Sequence, residues 1–140
     1  MTLLNGLQGP GLQGNGLGAR GLGARGIQAS DIEFWTTACA YDFLLPCRGV
    51  GVLLSGGAQA ALFRLDDGTL HAVGNLDPFC GAAVMSRGIV GDRAGRATVQ
   101  SPLKKQTFAL DDGSCLDDPE VFLPVYVTRI TPEGDVQVGC

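Results

Sequence analysis

The chain has 140 residues, of which 45% are apolar, and this length and composition fit one small globular domain with an ordinary core. The formal charge is −4, and residues 31–140 carry 14 acidic side chains against 8 basic ones. Such an acidic body argues against nucleic acid as a partner, because neutralising phosphates requires clustered lysine and arginine.

The first thirty residues form a tail rich in glycine and leucine. From Gly6 to Gly26 a five-residue unit repeats, first as Gly-Leu-Gln-Gly-Pro and finally as two copies of Gly-Leu-Gly-Ala-Arg. A period of five fits neither a helix nor a strand, and dense glycine loses much backbone entropy on ordering. We therefore expect residues 1–30 to be disordered. The alternative is a docking or assembly tail anchored by its leucines, Leu7, Leu12, Leu17 and Leu22.

Residues 31–140 consist of short apolar runs separated by turn signals, which predicts an all-β domain. Prolines and glycines leave room for no long helix, only for one short turn within Pro78–Ser86. The segments Leu65–Thr69 and Leu110–Ser114 both contain Asp-Asp-Gly and favour two similar hairpin turns. The predicted strands are Glu33–Ala38, Val50–Leu54, Ala58–Leu65, Leu70–Val73, Val121–Ile130 and Val136–Val138.

Two segments of this domain look like the loops of a Rieske [2Fe–2S] site in which every ligand has been replaced. Such a cluster is held by two cysteines and two histidines, usually from a Cys-x-His and a Cys-x-x-His loop. An amide, a carboxylate, a hydroxyl and an ammonium group cannot hold it, and the chain has one histidine where two are needed. The degenerate ligand positions are Asn75, Asp77, Ser101 and Lys104.

Four longer stretches lie in and after these loops: Asp77–Asp92, Ser101–Phe108, Gly113–Pro119 and Pro124–Arg129. Their residues and their order resemble the small subunit of the assimilatory, NAD(P)H-dependent nitrite reductase. The resemblance runs from about Trp35 to Val138.

The resemblance implies a Rieske-like (ISP) domain of antiparallel sheets over residues 31–140, with a small insert subdomain at about 75–108 that presents two loops. In that family the large subunit carries the flavin (FAD), the iron–sulfur centres and the sirohaem, and reduces nitrite to ammonium. This chain would be a non-catalytic subunit of that enzyme in nitrate and nitrite assimilation. It would hold no cofactor or metal of its own, and its partner would be the large subunit.

Two other functions stay open at this point. A Rieske-type ferredoxin that carries electrons would need two cysteines and two histidines in the two loops. A free-standing β-sandwich interaction module could work through the glycine–leucine tail without any connection to nitrite.

Three cations are candidates for contact with a partner. In the resembled fold, Arg87, Lys104 and Lys105 would lie at the tip where a Rieske protein keeps its cluster. A lysine in the place of a histidine removes a metal ligand but leaves a projecting charge, which suits docking. The alternative is that these are solvated loop residues.

Other polar residues favour structural roles. His71 lies within a predicted strand, and we expect it at the surface or half-buried. The carboxylates at positions 77, 92, 117 and 118 occur in turn contexts, where short polar side chains cap the backbone, so a hard-cation site is disfavoured.

The sequence also predicts a cytoplasmic protein without a membrane partner. No run of about eighteen apolar residues occurs, and the N-terminus lacks the features of a secretory signal. The five cysteines are widely spaced and include no Cys-x-x-Cys pair, which disfavours structural zinc. We expect mostly buried, reduced thiols, with Cys140 as the exposed one.

Overall fold

The structure is a computed structural model that describes residues 32–140 and the strand Leu3–Asn5. The disorder predicted for Gly6–Gly26 concerns residues outside this described part and stays a prediction. None of the helices in the described part has the length and apolar character needed to cross a bilayer.

The described residues form ten strands and two single-turn 3-10 helices. The strands are β1 (Leu3–Asn5), β2 (Trp35–Ala40), β3 (Gly49–Leu53), β4 (Gln59–Arg64), β5 (Leu70–Gly74), β6 (Ile89–Arg93), β7 (Arg96–Gln100), β8 (Thr107–Ala109), β9 (Val125–Ile130) and β10 (Asp135–Gly139). The 3-10 helices are Tyr41–Phe43 and Met85–Arg87.

These strands build one large and one small sheet. The large sheet has seven strands in the order β1-β3-β4-β5-β9-β10-β2, and the small sheet has three in the order β6-β7-β8. Every pairing is antiparallel except that of β1 with β3. The predicted all-β, antiparallel architecture is confirmed.

The small sheet belongs to an excursion of the chain from the large sheet. Strand β5 pairs with β9, so the chain leaves the large sheet at Gly74 and rejoins it at Val125. The predicted insert at about 75–108 lies within this excursion. Both degenerate ligand loops are therefore presented by the insert.

Two hydrophobic cores lie on opposite faces of β4. Ala60 and Leu62 join one core. This core also includes residues of β2 and β3, which lie toward opposite ends of the large sheet, so the sheet curls around it. Ala61 and Phe63 join a second core between the large sheet and the insert. Because both faces are covered, β4 is apolar through its centre and does not alternate with polar residues.

The two repeated turns have the same construction, as predicted. Asp67 accepts hydrogen bonds from the backbone N–H and the hydroxyl of Thr69, and Asp112 accepts the equivalent pair from Ser114. The glycine between them has a positive φ in both turns, 89° in the first and 78° in the second. This conformation is costly for any residue with a Cβ, which explains why both turns use Asp-Asp-Gly.

One predicted strand is shorter than expected. The strand predicted at Val121–Ile130 begins at Val125. Before it, Phe122 bridges to Ser114 and the Leu123 N–H bonds to the Gly113 carbonyl, so this stretch pairs with a turn of the insert. Pro124 then has no N–H to donate to the sheet.

The sequence did not predict β1 or the three strands of the small sheet. Strand β6 contains a glycine and is mostly exposed, so its sequence shows no apolar alternation. The turn between β6 and β7 uses Ala94 and Gly95 with φ of 55° and 86°, a hairpin conformation for which Asn-Gly is the usual signal.

Candidate functional site

The two degenerate loops meet through a direct hydrogen bond between their side chains. Ser101 Oγ donates to Asp77 Oδ2 at 2.5 Å, and both residues are completely buried. We call this contact the Asp77–Ser101 bridge. It joins the loops at the place where the ligand positions of a cluster would otherwise face each other.

Each loop folds around its own member of the bridge. In the first loop, Asp77 Oδ1 accepts the Phe79 N–H at 2.8 Å. In the second, Ser101 Oγ lies 3.3 Å from the backbone nitrogens of Leu103 and Lys104 and accepts from them. The bridge is therefore the centre of a small network that fixes both backbones.

Asn75 anchors the first loop to the rest of the domain. Its Oδ1 accepts the Ser86 N–H at 2.8 Å, and its Nδ2 donates to Gln59 Oε1 at 3.1 Å. Its backbone N–H and carbonyl also bond to Gln59 and Met85. Asn75 thus connects β4 with the 3-10 helix Met85–Arg87, and its side chain is buried with both polar atoms satisfied.

Three of the four degenerate positions are therefore buried structural residues, and the fourth is different. Lys104 is exposed, and so is its neighbour Lys105, whose φ is 67°. The Lys105 carbonyl accepts from Gln100 Nε2, and its N–H bonds to the Ser101 carbonyl, so this left-handed position closes the loop.

The surface around the bridge combines apolar and cationic side chains. Leu76 is 52% exposed and Leu103 is 55% exposed, one in each loop. We define the tip surface as Leu76, Leu103, Lys104 and Lys105. In the first loop, the partly buried Phe79 packs its ring on Phe108 of the second core, with centroids 6.3 Å apart.

Arg87 is the last residue of the 3-10 helix Met85–Arg87 and lines a groove whose lining does not include Lys104 or Lys105. Contact of the three cations with a partner stays a prediction.

The residues at the degenerate positions do not fit a [2Fe–2S] cluster. A cluster needs thiolate and imidazole ligands, whereas these loops offer an amide, a carboxylate and a hydroxyl that are already bonded to one another or to the backbone. No three histidine, cysteine or acidic residues converge within the described residues. The sequence pointed to these four positions but did not reveal the Asp77–Ser101 bridge.

The single histidine lies outside the loops. His71 is half-buried on β5, as expected from the sequence. Burial lowers the pKa of His71 below its usual value, while a hydrogen bond to the Leu110 backbone and the charges of Asp111 and Asp67 oppose that shift. This imidazole is therefore kept largely neutral by a structural environment.

The prediction for the cysteines was wrong in two respects. All five are free, but only Cys115 is buried, and the exposed thiol is Cys80. Cys140 is half-buried, with Sγ 3.8 Å from the Ser55 carbonyl oxygen, and burial raises its pKa. The C-terminal residue is covered because the Cys140 backbone pairs with Phe34.

Asp92 and Asp118 cap their own turns, as predicted, whereas Asp117 caps a distant backbone group. Asp92 accepts from the Gly95 N–H, and Asp118 accepts from the Glu120 N–H. Asp117 accepts from the Thr107 N–H and so ties the β8 start to a neighbouring loop. These contacts are backbone caps.

Comparisons with known proteins find relatives that match most of this chain. A family model described as a Rieske-like [2Fe-2S] domain matches residues 34–139. The nitrite reductase (NADH) small subunit of Salmonella typhimurium is 42% identical over 105 residues, which are 74% of this chain and 95% of that protein. A crystal structure described as an NADH-dependent nitrite reductase small subunit from Mycobacterium tuberculosis is 75% identical, with a TM-score of 0.74, and the match covers 76% of this chain and 94% of that one.

One further relative has a different organisation. The nitrite reductase [NAD(P)H] large subunit of Klebsiella oxytoca is 38% identical to this chain over 105 residues. The match covers 75% of this chain but 11% of that protein. A segment similar to this domain therefore forms part of a much longer polypeptide in that organism.

Proposed function

Because the chain belongs to the Rieske-like [2Fe-2S] domain family and, within it, to the nitrite reductase small subunits, we propose that it organises a large nitrite reductase subunit through its tip surface. The chain is a subunit of an oxidoreductase and supplies no catalytic side chain of its own. Nitrite is reduced to ammonium on the large subunit, where the flavin, the iron–sulfur centres and the sirohaem are expected.

The observation that carries this proposal is the Asp77–Ser101 bridge. The two loops keep their form with a hydrogen bond between them, and they expose Leu76, Leu103 and two lysines around it. A pair of loops that is fixed internally and exposes both apolar and cationic side chains is suited to binding a protein surface. The similar segment within the large subunit of Klebsiella oxytoca supports the choice of partner, since fusion keeps two associating units together.

The proposed location is the cytoplasm. All five cysteines are free, and four of them are at least partly accessible. Such thiols persist in a reducing compartment.

We expect the purified chain to contain no iron or acid-labile sulfide, even after anaerobic reconstitution with iron and sulfide. The bridge already occupies two of the four ligand positions, and Lys104 offers no imidazole. Iron and sulfide assays together with a visible spectrum test this expectation. A stoichiometric cluster would contradict it and would favour the ferredoxin function.

Reversing the charge of the tip lysines is expected to weaken association without unfolding the domain. The double variant Lys104→Glu/Lys105→Glu changes exposed side chains, so we expect its free energy of unfolding to move by less than about 0.5 kcal/mol. Affinity for the large subunit should fall about tenfold, because rim charges steer association and like charges repel. Binding at two salt concentrations, with thermal unfolding of the free variant, measures both effects.

The matched control is Lys104→Gln/Lys105→Gln, which removes the charge without reversing it. Its affinity should lie between those of the wild type and the reversed variant, and the difference should shrink at high salt. Equal affinities for all three proteins would assign the lysines to solvent. A lowered unfolding temperature would show that the loop packs inward.

The most direct test of the function is co-purification. The tagged full chain should retain the large subunit expressed with it, and the complex should have NAD(P)H-dependent nitrite reductase activity. A large subunit that elutes alone would reject the proposed function.

A further inference from the structure

A second surface of the domain has the features of a protein-binding groove. The groove has a volume of about 680 Å³ and lies where the large sheet meets the insert. Two segments line it: six residues between positions 43 and 50, and all of residues 86–90. The close approach of these two segments depends on Gly49, since a Cβ there would collide with the Ser86 carbonyl.

The walls of the groove expose large apolar side chains. Phe43 is 55% exposed, Leu45 is 56% exposed and Ile89 is 61% exposed. They are three of the seven large hydrophobic residues exposed in the described part of the chain, and they line one groove. Clustering of this kind marks an interaction site, whereas single exposed apolar residues do not.

An unpaired strand edge borders the same groove. Strand β6 is the edge of the small sheet and pairs with β7 alone among the described residues. Its first two residues, Ile89 and Val90, line the groove, and the strand is mostly exposed. Such an edge presents free backbone N–H and C=O groups to which an extended segment can add as a further strand.

Two arginines give the groove a charge opposite to that of the whole chain. Arg48 and Arg87 both line it and both are exposed. Neither forms an ion pair with a described carboxylate, whereas Arg96, at the far end of the β6–β7 pair, bonds to Asp111 at 2.7 Å. On a chain with a net charge of −4, this pair forms a local binding point for a carboxylate.

We propose that this groove binds an extended acidic segment of the large subunit, which adds as a strand to the free edge of β6. An apolar side chain of the segment packs between Leu45 and Ile89, and a neighbouring carboxylate pairs with Arg48 or Arg87. The inference rests on the proposed function, since the large subunit is the partner. It adds a second contact that is independent of the tip surface.

The test compares binding of the large subunit to variants of the full chain. Ile89→Ser and Arg48→Glu/Arg87→Glu should each weaken the affinity at least tenfold. The matched control is Ile130→Ser, because Ile130 is 51% exposed on β9 and does not line the groove. Its affinity should not change. If Ile89→Ser does not fold, Leu45→Ser removes a second apolar side chain of the groove. Thermal unfolding of every variant shows whether it is folded.

Hydrogen exchange tests the strand addition in the wild-type complex. Amides in residues 89–93 should exchange more slowly when the large subunit is bound, because the free edge of β6 becomes paired. Unchanged exchange there, or unchanged affinity of the groove variants, would overturn the inference.

A photo-reactive residue at position 45, with position 130 as the control, identifies the occupant of the groove. The expected product joins position 45 to a large-subunit peptide in which acidic and apolar residues are adjacent. A cross-link to residues 1–31 of the same chain, or to a second copy, would overturn the inference.

If Lys104→Glu/Lys105→Glu weakens binding while the groove variants do not, the proposed function stands and the groove inference fails. If the wild-type chain does not bind the large subunit at all, both fail.

Discussion

Replacing Asp77 by alanine is expected to lower the free energy of unfolding by about 3 kcal/mol, because a buried acceptor of two hydrogen bonds is lost. The Ser101 hydroxyl and the Phe79 N–H would both be left without their partner in the interior. For a domain of this size such a loss corresponds to a fall in unfolding temperature of about 10 °C. Chemical denaturation and calorimetry measure the two quantities.

The control variant is Asp77→Asn, which keeps the shape of the side chain. Its carbonyl oxygen can still accept from Phe79, but its amide places a donor where the Ser101 hydroxyl needs an acceptor, so we expect a loss of about 2 kcal/mol. A double-mutant cycle that combines Asp77→Ala with Ser101→Ala should give a coupling energy above about 1 kcal/mol, since the two side chains form one network. Additive effects of the two substitutions would show that the bridge contributes no stability.

This network connects the two loops through the side chains at the ligand-like positions. In a Rieske site, metal–ligand bonds cross-link the two loops. Here a hydrogen bond from the Ser101 hydroxyl to the Asp77 carboxylate connects them. The contact between the loops therefore does not depend on a metal–ligand bond at these two positions.

The sequence predicted the loops but not the contact between them. The ligand-like spacing of Asn75 with Asp77 and of Ser101 with Lys104 was visible in the chain. That Asp77 and Ser101 are buried and face each other depends on the second core, which positions the insert against β4. Such a long-range packing relation leaves no local signal in the sequence.

Prediction of the strands from the sequence is limited by the same kind of long-range contact. The strands of the large sheet, β1 excepted, were predictable, because glycine turns with positive φ separate clear apolar runs, as at Gly56 and Gly68. Strand β6 has no apolar periodicity, because most of it faces solvent. Its identity as a strand follows from its pairing with β7, so the groove that it borders could not be predicted either.

Replacing Gly49 by alanine is the second substitution with a large expected effect. A Cβ at this position would collide with the Ser86 carbonyl and lie 2.6 Å from the Phe63 ring. Gly49 is the first residue of β3, paired with Phe63, so its backbone cannot move away without disturbing the large sheet. We expect a loss of about 3 kcal/mol, at the upper end for overpacking, because neither neighbour is a flexible chain end.

The effect of Gly49→Ala on the first loop distinguishes local strain from a general loss of stability. The Ser86 N–H donates to Asn75 Oδ1, so pushing the 3-10 helix away from β3 also loosens the anchor of the first loop. Exchange of the Ser86 amide should therefore accelerate more than exchange in β9 or β10. The matched control is Gly91→Ala, where the added Cβ would lie 3.5 Å from Thr98 Oγ1, an ordinary van der Waals contact. Its free energy of unfolding should change by less than about 0.5 kcal/mol. Equal stabilities of the two variants would mean that the insert can shift freely on the large sheet, and that the tip surface and the groove are not held in a fixed relation.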